Sequence, residues 1–136
     1  MATKTKPTNK SEPHWQVLLT FPVVGLGYYD YNPTLLKRGQ VVGLMHEPSN
    51  AHDRNAVKVM YQNRKLGYVP RKLTTVLHRA KRQGCKFYSF VNQHFPNAGK
   101  LDEILFIRVK VLIEPLDDED REEAWEEDFW RSMILP

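Results

Sequence analysis

The sequence has a single cysteine, Cys85, in 136 residues, which excludes an internal disulfide and any cysteine-based zinc cluster. No uninterrupted apolar run exceeds about five residues, against the roughly 20 that cross a bilayer. No apolar segment follows the basic N-terminus, so neither a membrane span nor a secretory leader is expected. A glycine-rich loop ending in Gly-Lys-Ser/Thr is missing, and so is a Gly-x-Ser-x-Gly elbow, which removes the phosphate-loop and serine-hydrolase readings. The histidines, His14, His46, His52, His78 and His94, fall in no familiar ligand spacing. His46-Glu47 with His52-Asp53 can be drawn as a hard-metal site, and with it a metal-dependent nuclease as a distant alternative, but no second pair of ligands follows. Cys85 beside Lys86 suggests an activated thiol, although a buried cysteine at a strand start is the commoner outcome. No cofactor, resident metal or catalytic group is expected.

Charge of one sign is scarce in each part of the chain, and the scarce sign switches. Residues 1–116 hold 18 Lys and Arg against 7 Asp and Glu, while residues 117–136 hold 2 against 9, so the net +4 joins a body at +11 to a tail at −7. A body at +11 attracts polyanions, and nucleic acid is the commonest of these inside a cell. The chain divides accordingly into a flexible basic arm (1–14), a globular domain (15–116) and an acidic tail (117–136).

Within the domain, glycine and proline punctuate short apolar runs, which suits strands and turns better than a helical bundle. Strands are expected over Trp15–Gly25, Gln40–His46, Ala56–Gln62, Leu66–Val69, Lys86–Asn92 and Ile104–Ile113. Asn63-Arg64-Lys65 is the expected hairpin turn, and Thr34–Arg38 a single helical turn. After Pro70, the apolar Leu73, Val76, Leu77 and Ala80 recur at helical spacing, and Gly84 stops the helix. In the tail, Trp125, Phe129, Trp130, Met133 and Ile134 predict a short amphipathic helix. About six strands with one or two helices indicate a mainly β fold, a small barrel resembling the OB or SH3-like class, with an α+β sandwich as the alternative.

Three segments carry candidate chemistry. In the loop Pro48–Asn55, Asn50, His52 and Asp53 offer more polar atoms than one turn needs, whereas Asn55 beside the strand suits a turn. Gly25-Leu26-Gly27-Tyr28-Tyr29 lets the backbone bend; strand alternation would bury one tyrosine and leave the other accessible for stacking on a base. Gly67-Tyr68-Val69-Pro70-Arg71-Lys72 feeds a strand into a helix start, where free N–H groups and two cations favour a phosphate.

Taken together, VVGLGYY, LMHEPSNAHDRNAVKV and LGYVPRKLTTVL resemble the HIRAN domain over about residues 18–113. The family occurs in helicase-like DNA-repair translocases and as small stand-alone proteins. The resemblance implies a modified OB-like barrel with two helices that binds single-stranded DNA and holds its free 3′ end. Tyr28 and Tyr29 match the aromatic pair at the terminal bases, and Asn50 and Asp53 the loop groups at the end nucleotide. By the same resemblance Asp53 accepts from the terminal 3′-hydroxyl, and Tyr68 and Arg71, with Lys72 beside them, meet phosphates. Phe95 or Phe90 matches a further stacking ring. The chain departs from its DNA-binding relatives at Gly27 and His46, where basic residues are common, and at His52, where an aromatic is common and a histidine ring can still stack.

The expected function is thus a non-catalytic module for single-stranded DNA ends in repair or processing. The chain is read as intracellular, cytoplasmic and nucleoid-associated if bacterial or phage. The acidic tail supplies the alternative, an adaptor whose Trp125, Phe129 and Trp130 dock a nuclease or helicase partner.

Overall fold

Nine residues, Leu105–Ile113, alternate strictly: every odd position is buried and every even one is partly open. That period of two is what a strand with one face in a core produces. The computed structural model describes residues 12–114. It contains β1 (His14–Pro22), β2 (Gly43–His46), β3 (Val57–Tyr61), β4 (Arg64–Tyr68), α1 (Thr74–Arg82), β5 (Phe87–His94) and β6 (Leu105–Ile113). His14, at the end of the expected arm, already opens β1. The arm before residue 12 and the acidic tail with its amphipathic helix lie outside the described residues.

The strands form two antiparallel sheets, ordered β1-β6-β5 and β2-β3-β4. Single bridges join them along two seams, Val24 to Tyr68 and Val41 to Phe90. At the first seam the Val24 and Tyr68 backbones exchange hydrogen bonds of 2.9 and 2.8 Å. The result, among the described residues, is an OB-like arrangement of two sheets joined only by these single bridges, so the expected barrel is not closed. Phe21, Val23, Leu26, Val59, Leu66, Leu105 and Ile107 fill its interior. On α1, Leu77 joins that core and Ala80 packs with Val111 and Ile113.

Several boundaries differ from the sequence expectation. The first strand ends at Pro22 rather than Gly25, and Leu26–Tyr28 winds into a 3-10 turn from Gly25, whose φ of 76° is left-handed. The helical turn expected at Thr34–Arg38 is a 3-10 turn at Pro33–Leu35, capped by the Asn32 side chain. The second strand is shorter than Gln40–His46, because Val41 makes only the seam bridge. The hairpin turn is Gln62-Asn63, both at positive φ (49° and 67°), so Arg64 and Lys65 belong to β4. Positive φ at both central residues is the two-residue geometry whose twist matches the flanking strands. The helix begins at Thr74, after a 3-10 turn at Arg71–Leu73, and buries Thr74, Leu77 and Ala80. At its end Gly84 takes φ 81° and the Cys85 N–H reaches the Ala80 carbonyl at 3.1 Å, closing the helix as expected.

Candidate nucleic-acid interface

Glu47 leaves β2 directly, and its backbone N–H holds the Ala56 carbonyl at 2.8 Å, so residues 47–56 form a closed loop. Within it the Asn50 side-chain oxygen accepts from the His52 and Asp53 N–H groups (2.9 and 3.0 Å), and Asp53 Oδ1 accepts from the Asn55 N–H at 2.9 Å. The expectation that Asn50 and Asp53 exceed the needs of one turn is therefore corrected. Each closes its own turn, the second beginning where the first ends, while Asn55 contributes backbone only: its carbonyl meets His78 Nε2 at 2.9 Å.

Glu47 organises everything around it. Tyr68 donates its hydroxyl to Oε1 at 2.6 Å, and Asn50 Nδ2 donates to the same oxygen at 2.9 Å. Oε2 faces Lys65 Nζ at 3.2 Å and Lys58 Nζ at 3.7 Å. The Tyr68 hydroxyl also accepts from Lys65 at 2.9 Å and from Asn50 at 3.2 Å, which saturates it. Hydrogen bonds from Tyr68 and then Asn50, reinforced by Lys65, hold the Glu47 carboxyl down at about 2 from its ordinary 4.5. Lys65 is raised in turn, chiefly by its bond to Tyr68, and burial raises Tyr68. The folded value of Glu47 lies below the unfolded one. Its stabilising contribution is therefore complete above about pH 4.5 and disappears as pH falls through about 2. In a carbon-detected NMR titration the Glu47 carboxyl should show a midpoint near 2; a midpoint near 4.5 would mean the network does not persist in solution.

The aromatic turn is tied to this cluster. Asp30 N–H bonds the Lys65 carbonyl at 3.0 Å. The Tyr29 ring meets Tyr68 edge-on at 5.7 Å, and Lys65 Nζ sits 4.6 Å from its centroid. Tyr28 and Tyr29 are both exposed, at 83% and 41%, which corrects the expected division into one buried and one open ring. In a 3-10 turn they do not alternate, and Leu26 takes the core position instead. On the far side of the loop, Arg71 Nε stands 3.5 Å from Asp53 Oδ2.

Direct contacts thus run from Arg71 through Asp53, Asn50 and Tyr68 to Tyr29. Tyr28, His52 and Lys72 are exposed on the same turns and loop. Phe95 pairs instead with the Phe106 ring at 6.2 Å, in a shallow depression with Lys100 and Asp102. Phe90 lies on the other sheet. Sequence reasoning missed Lys58 and Lys65 and gave Glu47 only a metal-ligand part. His46 instead contacts the Arg54 carbonyl at 2.7 Å, and among the described residues no three His, Cys, Asp or Glu side chains converge on a possible metal. Burial pushes the Cys85 thiol up to about 11, the opposite of an activated one. A separate cavity of about 340 Å³, lined by Val41, Leu44, Leu77 and Phe87 among others, opens between β2, α1 and β5.

Exposed rings and the exposed Arg71 and Lys72 thus lie around one loop at one edge of the fold. The chain belongs to the HIRAN domain family, whose model matches residues 17–111. Membership supports a DNA-binding module. The fold is similar to the crystal structure of the HIRAN domain of human HLTF, with a TM-score of 0.61 at 20% identity, covering 87% of this chain and 92% of that one. It is also similar to the crystal structure of a protein from Lactobacillus plantarum, with a TM-score of 0.59 at 28% identity over 74% of this chain and 98% of that one. No curated protein matches the chain. Among the described residues no helix is long and apolar enough to cross a membrane.

Proposed function

We propose that the Tyr29–Tyr68–Asn50–Asp53–Arg71 surface binds the free 3′-hydroxyl end of single-stranded DNA. The continuous chain of contacts that gathers these side chains on one surface carries the reading. Tyr28 and Tyr29 offer ring faces to the terminal bases. Arg71, with its side chain 78% exposed, and Lys72 meet phosphates. Asp53 Oδ2 is the acceptor for the 3′-hydroxyl, since a carboxylate accepts from a hydroxyl and repels a phosphate. The hydrogen-bonding atoms of Asn50 and Tyr68 are already engaged within the protein, so these residues set the position of Asp53 and of the Tyr29 ring. The setting of such binding would be DNA repair or processing inside the cell.

The test is a comparison of linear and circular single strands of one sequence across salt. Two phosphate contacts, by Arg71 and Lys72, give a log–log slope of about −1.4 for the linear strand. The circle, without an end, should bind at least about tenfold more weakly, the equivalent of one charge-assisted hydrogen bond. Equal binding of circle and line would refute end recognition, and a flat salt profile would refute phosphate contact.

A further inference from the structure

The outward face of the β1-β6-β5 sheet is not the polar surface that a solvent-facing sheet ordinarily presents. Bulges at Leu18 and Asn92 keep the registers such that Trp15, Tyr88, Phe90, Arg108 and Lys110 all point away from the core. Trp15 and Tyr88 are 48% and 40% exposed. Their centroids lie 6.0 Å apart, and Tyr88 and Phe90 are 5.3 Å apart at an interplanar angle of 34°. Three rings therefore form a strip across the sheet. Lys110 Nζ lies 5.8 Å from the Phe90 centroid, and Arg108 is oriented by a 2.9 Å bond from Nε to the Thr20 hydroxyl. The three strands contain no Asp or Glu. Cross-strand pairing alone would account for rings packed on each other. It does not account for half-open rings beside Arg108 and Lys110, when Glu114, just past the end of β6, is already paired with Lys86 at 3.8 Å.

We propose that this face is a second nucleic-acid contact surface, a stacking platform for the body of a single strand. It rests on the single-strand part of the reading above and takes a different segment of the ligand. Bases stack on Trp15, Tyr88 and Phe90 without regard to sequence, and Arg108 and Lys110 neutralise the adjoining phosphates. Charge complementarity favours a polyanion here, and the ring strip favours one with planar groups.

The experiment measures binding of the full chain to 3′-hydroxyl oligothymidylates of about 5 and about 20 nucleotides, lengths chosen to bracket the site size of one OB-like domain. Wild type should prefer the longer strand. Trp15→Ala/Tyr88→Ala should cost the longer strand at least about tenfold in affinity and leave the shorter one unchanged. Arg108→Gln/Lys110→Gln, which retains the rings, should flatten the salt slope for the longer strand by about 1.4. Undiminished affinity for the longer strand in the ring variant would overturn the proposal, as would an equal loss for both lengths. Crosslinking of Lys110 to carboxylates of residues 117–136, with long-strand affinity intact in the ring variant, would give the face to the chain's own acidic segment and also overturn it. Loss of end preference in wild type, with the length effect intact, would sink the end reading alone.

Discussion

Gly67→Ala should destabilise the domain by about 3 kcal/mol, the upper part of the range for forcing a methyl into a packed interior. Gly67 is buried in β4 opposite Val59. A Cβ there would stand 2.4 Å from the Val24 carbonyl oxygen and 2.7 Å from Val23 Cγ1. One obstacle is backbone, and that backbone is the seam itself, since the Val24 carbonyl accepts from the Tyr68 N–H. The methyl must push the segment after β1 away from β4 or break the bridge that joins the two sheets on this side. For a domain of this size the melting temperature should fall by about 10–20 °C. Gly43→Ala is the control: its Cβ would meet nothing closer than Met60 Cβ at 3.9 Å, and the change should stay within about 1 kcal/mol. Equal melting temperatures for the two variants would mean the seam is not packed as described. Because Tyr68 follows Gly67 directly, DNA binding should fall with stability.

Glu47→Ala should cost about 2–3 kcal/mol, because it removes the acceptor of Tyr68, Asn50 and Lys65 together. Hydrogen bonds to a charged partner contribute more than neutral ones, and Glu47 is a largely covered carboxylate, its side chain 16% exposed. Glu47→Gln should lose about half as much, since an amide oxygen still accepts from Tyr68. The loss should be local as well as global. Amide exchange at His52 and Asp53, whose N–H groups donate to Asn50, should quicken in the alanine variant. Near pH 2 the wild-type carboxyl is itself half protonated, so the two proteins should converge in stability there. A difference undiminished at that pH would show that the contribution of Glu47 is not electrostatic.

The sequence makes some of this architecture legible and hides the rest for identifiable reasons. β6 and α1 announce themselves through their periods, and Gly84 through the left-handed cap it alone adopts without strain. The hairpin between β3 and β4 is evident, but its turn is displaced, because Gln and Asn at positive φ are a weaker signal than the charged Arg64-Lys65 that follows. The displacement concealed Lys65, which strand geometry turns into the site. Glu47 was harder to find. A glutamate before a proline has no local signature, and its importance comes from Tyr68 and Lys65, 21 and 18 residues away, reaching back to it across the sheet. Asn50 and Asp53 were recognisable as loop-forming residues. What the chain alone does not disclose is that two consecutive turns engage them both.

The central claim, that a free 3′-hydroxyl is recognised at Asp53, is most directly tested by comparing matched oligonucleotides ending in a 3′-hydroxyl or a 3′-phosphate. The comparison is made on wild type and on Asp53→Asn, which retains an acceptor for the Asn55 N–H. Wild type should prefer the hydroxyl end by at least about tenfold, and Asp53→Asn should narrow that preference towards unity. Equal affinity of wild type for the two ends, or a preference that survives in Asp53→Asn, would contradict the account.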